Sequence, residues 1–223
     1  MKEIVIALIG LVLILQGITI AAEKDLEIQG KKLISQKPHF TLGLPSEFRL
    51  IHSFSHENPR ENSLTRVYFF LKMKDKQIEE MMIVQIADKT NPQAGPILVP
   101  HLKPYTEKRM YLKDMVKKRG VEVDYMTQLM AWNPDAPSLQ PLIEKGILIP
   151  SRWALQGQFL FTYLEEHAIF VRYSKDTNSF GLKVSEEGDI WNRDSIKGNE
   201  KKVYEIFQKT FMGMVNSIEI KNP

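Results

Sequence analysis

The residues on this 223-residue chain that could move a proton or hold a metal are five histidines and scattered carboxylates. His52 and His56 stand four apart with Glu57 beside them, the spacing that puts two ligands on one face of a helix. Here, however, Phe48, Leu50 and His52 continue an alternating, extended run. Residues four apart in a strand are separated by roughly 13 Å, too far to share a metal. His101 falls in a proline-bounded loop and His167 in a hairpin turn, where isolated histidines are ordinary surface residues.

The acidic candidates are Glu186, Glu187, Asp189 and Asp194 around Trp191, a composition that suggests acid–base work on a sugar. Such chemistry needs one carboxyl with a raised pKa facing another across a cleft. A glycine-containing acidic loop such as SEEGD reads more simply as an exposed turn. No G-x-S-x-G, P-loop, H-E-x-x-H or C-x-x-C pattern is present. The chain has no cysteine, which excludes disulfides, a thiol nucleophile, thiolate metal sites and a lipid-modified N-terminal cysteine. A net charge of +3 is too small and dispersed for nucleic-acid binding. The expectation is a protein that is not an enzyme, with no catalytic, metal or cofactor residue.

The N-terminus explains where such a protein works. Met1-Lys2-Glu3 precedes an apolar run from Ile4 to Leu15, then small residues up to Ala22 and the charged Glu23. This is the pattern of a secretory signal over residues 1–21, with Thr19 and Ala21 at the positions that must be small for cleavage. The alternative is an uncleaved anchor, since residues 4–20 just reach across a bilayer. Either route exports the chain to the periplasm or cell exterior, and membrane contact follows only if the segment is retained.

Residues 22–38 are polar and read as a linker or a loosely held first element. Strands are expected at 39–44, from 48 onward, and at 65–73 and 81–87, with a loop over 55–63. Gln158 to Tyr163 and Ala168 to Tyr173 form a predicted hairpin turning at Glu165-Glu166, followed by a short strand at 180–184. Residues 199–217 form a helix with Asn199 as N-cap, and Val203, Ile206, Phe207, Phe211, Met214 and Val215 on one face. The fold class is therefore α+β: an antiparallel sheet with a packed C-terminal helix, built from residues 39–103 plus 151–223.

This arrangement resembles the PsbP-like fold. The likeness rests on Phe40, Leu42, Leu44 and Pro45 at the opening of the sheet, and on Phe211, Met214, Val215, Asn216 and Ser217 in the closing helix. It implies an assembly accessory working with an envelope protein partner.

The middle of the chain differs in texture. Leu112, Met115 and Val116 fall at helical spacing before Lys117-Lys118-Arg119 and Gly120, a basic last turn with a glycine stop. Asp124 then caps a second expected helix, Tyr125 to Trp132, which ends at Asn133-Pro134. With Tyr105-Thr106 before them and Gly146, Leu148, Ile149 and Pro150 after, residues 104–150 read as an inserted β-α-α-β unit. It resembles a LysM module, with Arg109-Met110-Tyr111 where that family has Gly-Asp-Thr. The resemblance implies binding of peptidoglycan or another N-acetylglucosamine-containing envelope glycan in a groove lined by Arg109, Met110, Tyr111, Trp132, Asn133, Pro134 and Ser138. Tyr111 and Trp132 would supply the stacking faces and Asn133 and Ser138 the polar contacts. The alternative is an insertion that serves as a partner or dimer surface.

Overall fold

Strands that bury side chains on both faces dominate the computed structural model, which describes residues 25–221 apart from 60, 61, 98, 100 and 151. The leader reading for residues 1–21 lies outside the described residues. Among the described residues no helix is long and apolar enough to cross a membrane.

Two antiparallel sheets form. The smaller contains β1 (Leu26–Gln29), β2 (Lys32–Gln36), β3 (His39–Gly43) and, beside β3, the two-residue β11 (Glu219–Ile220). The main sheet has seven strands. They are β4 (Arg49–Asn58), β5 (Ser63–Lys74), β6 (Gln77–Lys89), β7 (Met110–Lys118), β8 (Val121–Ala131), β9 (Trp153–Tyr163) and β10 (His167–Asp176). Their order across the sheet is β4-β5-β6-β10-β9-β8-β7.

The principal core lies between this sheet, the small sheet and the helix α2 (Gly198–Asn216). Leu155, Phe159 and Phe161 of β9 and Ile169, Val171 and Tyr173 of β10 face it, with Val203, Phe207 and Phe211 of α2 opposite. The helix rests close on β9 because Gly157 has no side chain. A Cβ there would collide with the Phe211 ring. At the core's edge, Glu80 accepts hydrogen bonds from Tyr173 Oη (2.8 Å), Ser46 Oγ (2.9 Å), Lys72 Nζ (3.1 Å) and Lys175 Nζ (3.2 Å). Arg66 pairs with Asp25 and, at 2.6 Å, with Asp88, which ties the first strand to the main sheet.

Several expectations are corrected. Residues 26–36 form β1 and β2 where a linker was expected, and β4 runs into the expected loop at 55–63 as far as Asn58. Residues 177–180 make a 3-10 turn and no strand follows to 184. Lys197 precedes α2 as its cap, while the Asn199 side chain donates to Lys183 O at 2.9 Å.

The largest correction concerns 110–131, where two expected helices are the strands β7 and β8. The reason is burial on both faces. Val123, Tyr125 and Leu129 enter the principal core, whereas Met126 points the other way, onto Leu160 and Phe170. Apolar residues on both sides erase the period of two and mimic a helical spacing. Gly120 misled for a related reason. Arg119 and Gly120 have φ of +47° and +87°, so glycine serves a two-residue hairpin turn here where a helix stop had been read. Asp124 lies within β8, paired with Leu160 of β9. Residues 104–150 thus do not form a separate β-α-α-β unit. Two more strands join the main sheet, and the following segment lays Trp132, Leu139, Leu142 and Ile147 against Val67, Phe69 and Ile83. That segment includes the single-turn helix α1 (Gln140–Ile143).

Candidate binding site

The face of the main sheet away from α2 carries two separate apolar clusters. One lies under residues 132–149, and the other packs Val99 and Leu102 onto Met126, Leu160 and Phe170. Between them the strands turn polar side chains outward in register. Ile83 of β6, Arg172 of β10, Gln158 of β9 and Met126 of β8 form one cross-strand row. Met81, Ser174, Gln156 and Gln128 form the next.

These polar groups are buried, and most are knitted together. Gln156 accepts from the amides of Gln128 (3.0 Å) and Gln158, and donates to Ser174 Oγ at 3.2 Å. Gln128 in turn accepts from the backbone N–H of Tyr105 at 2.8 Å, which holds Tyr105 beside the floor. Asp124 accepts from Leu102 N at 2.9 Å and lies 3.3 Å from His101 Nδ1. Arg172 is the exception. Its Nε is buried with no hydrogen-bond partner, and burial lowers its pKa. Arg66, buried elsewhere, has the carboxylates of Asp25 and Asp88 beside it.

The residues nominated from sequence fall on both sides of the sheet. Arg109 stacks over the Trp153 ring at 4.5 Å, on the α2 side. Tyr111 lies there too, donating to Trp191 O at 2.6 Å and stacking on Tyr204 of α2 with ring centroids 4.3 Å apart. Burial, with Tyr204 alongside, holds the Tyr111 hydroxyl well above the usual phenol range. Met110 begins β7 opposite Gln128. Trp132 is buried in the cluster on the opposite face. Asn133 is exposed, its side chain accepting from Asp135 N at 3.1 Å, and Pro134 and Ser138 are half-buried near it. Tyr111 and Trp132 therefore do not line one groove.

The acid–base candidates are also dispersed. Glu186, Glu187 and Asp189 are exposed, and Asp194 pairs with its neighbour Arg193 at 2.9 Å, while Trp191 is buried with its indole N–H on Ser185 O. His52 and His56 lie along β4 on either side of Phe54, in one aromatic row. Among the described residues no group of histidines and carboxylates could hold a metal.

Sequence reasoning missed Gln156, Gln158 and Arg172. A signal was present: glutamines two apart inside WALQGQFLF, and one arginine inside AIFVRY, share a face of otherwise apolar strands. No protein-family model, curated protein or solved structure matches the chain.

Proposed function

We propose that this chain is an exported, non-catalytic binding protein of the cell envelope. Its working surface is the face of the main sheet away from α2, where a polar floor separates the two apolar clusters. The observation that carries this reading is the buried polar floor with an uncompensated Arg172 at its centre. Three glutamines, a serine and a guanidinium can orient a ligand but transfer no proton at neutral pH, which favours binding over catalysis. The export half of the proposal rests on residues 1–21.

The test is native mass spectrometry of the protein purified after export, followed by titration with envelope fractions. Peptidoglycan fragments form one arm, because glutamine amides suit acetamides and hydroxyls as well as carboxylates. A bound species lost on Gln158→Leu substitution supports the reading, and an empty protein that no fraction stabilises overturns it.

A second reading, the assembly accessory, is favoured by the sheet edges. The edge strand β7 carries Lys113, Lys117 and Lys118, whereas the opposite edge β4 has no lysine over ten residues. Lysines on an edge discourage strand pairing, so β4 is the edge suited to accept a partner strand.

A further inference from the structure

Among the described residues no carboxylate pairs with Arg172. The two largely buried carboxylates that β8 and β10 turn to this face are both committed elsewhere. Asp124 holds Leu102 N and His101, and Asp176 takes the Arg152 guanidinium through three contacts of 2.6 to 3.2 Å. The side chains that flank Arg172 in register, Ile83 and Gln158, are neutral. Its guanidinium carbon sits 5.2 Å from the centre of the Phe170 ring, and the residue as a whole remains partly open to solvent. Full burial of an unpaired charge costs several kcal/mol, and the half-buried Arg172 bears a part of that cost. It is also a strong anchor for any anion that reaches it, because the desolvation has already occurred on folding.

Phe170 is shared with a second feature. A cavity of about 100 Å³ is lined mainly by apolar groups, among them Phe170, Leu160, Ala168 and Ile97, with the polar Gln85 and Lys89 also on its wall. Cavities of ~150 Å³ accommodate benzene, so this one suits a short aliphatic chain rather than a ring. Phe170 and Arg172 are two residues apart on one strand face, which separates their rows by roughly 7 Å. An anionic head on Arg172 and an alkyl tail in the cavity are therefore within the span of one small molecule.

We propose that this face of the sheet binds a short-chain carboxylate at the partly exposed Arg172, its head paired with the guanidinium beside the Gln158 amide and its alkyl chain running over Phe170 into the cavity. The proposal rests on the ligand-binding reading above and specifies the ligand's chemistry.

The experiment is isothermal titration of the full chain, purified after export, with hexanoate, hexanamide and inorganic phosphate. The same titrations are run on Arg172→Met and Ala168→Leu, with thermal unfolding as the check on folding. Hexanoate is expected to bind saturably and hexanamide at least tenfold more weakly. Arg172→Met should abolish hexanoate binding without lowering the melting temperature. Ala168→Leu, which fills the cavity, should weaken hexanoate at least tenfold in a protein that still unfolds cooperatively. Equal binding of hexanoate and hexanamide, or undiminished hexanoate binding by Arg172→Met, overturns the proposal. Phosphate binding as tight as hexanoate overturns the role given to the alkyl chain. An uncharged envelope molecule that binds and requires Gln158, while hexanoate does not bind, removes the carboxylate proposal and leaves the ligand-binding reading standing. Failure of every ligand and fraction removes both.

Discussion

The guanidinium carbon of Arg172 lies 5.2 Å from the centre of the Phe170 ring, and the Arg172 Nε is buried without an acceptor. Cation and ring alternate with core residues on a central strand, so neither can leave this face of the sheet without disrupting β10. The attraction between a desolvated cation and an aromatic face reaches about 2 kcal/mol, less than the several kcal/mol of desolvating the charge. The difference is a local deficit that a ligand would relieve.

Arg172→Met should therefore stabilise the unliganded protein. Replacing a fully buried ion pair with apolar side chains of similar volume is often neutral or stabilising by about 1–4 kcal/mol, and the half-buried Arg172 should give no more than about 1 kcal/mol. Urea unfolding should show a higher midpoint at an unchanged slope. A lower midpoint would mean that Arg172 has a stabilising partner in the unliganded protein.

Glu80 should make stability depend on acid. Burial pushes its pKa up, but Lys175 and the hydrogen bonds from Tyr173, Ser46 and Lys72 outweigh this and hold it below its ordinary value of 4.5. Because the folded pKa is depressed, the stabilisation is complete above the unfolded value and is lost as pH falls through the folded one. Glu80→Gln should cost roughly 1.5–3 kcal/mol at neutral pH, as expected for hydrogen bonds to a charged group. Below pH 4.5 the gap between the two proteins should narrow. Paired urea titrations across that range measure it.

Gly157→Ala tests the seating of α2. The added Cβ would meet the Phe211 ring, and overpacking of this kind costs about 1–3 kcal/mol. A compensating Phe211→Leu change should recover part of the loss if the two residues share one contact, which a double-mutant cycle would show.

The β4 edge gives a prediction for the accessory reading. Leu50 and Glu57, both exposed on β4, can be changed together to lysine. Substitutions at such positions usually move stability within about 0.5 kcal/mol. Crosslinking in the envelope should lose any partner that pairs with this edge, and a partner retained by the double variant would place the contact elsewhere.

Much of this protein was legible in its order of residues. Val203, Phe207, Phe211, Met214 and Val215 fix α2 by spacing alone, because a helix that buries one face has a period the chain cannot hide. The β9–β10 hairpin was equally plain, since its apolar runs are bounded by a charged turn. The pair β7 and β8 was not legible. Val123 and Met126 belong to cores on opposite faces of the sheet, and a strand buried on both faces loses the alternation that identifies it. The fate of Tyr111 and Trp132 depended on the same point. A helical unit would have gathered them into one groove, whereas strand geometry and the sheet between them send them to opposite sides. Only the tertiary structure revealed that Arg172 has no counter-charge among the described residues. A sequence shows which charges exist, but pairing is a matter of distance, and that distance was decided when β8, β9 and β10 came together in register.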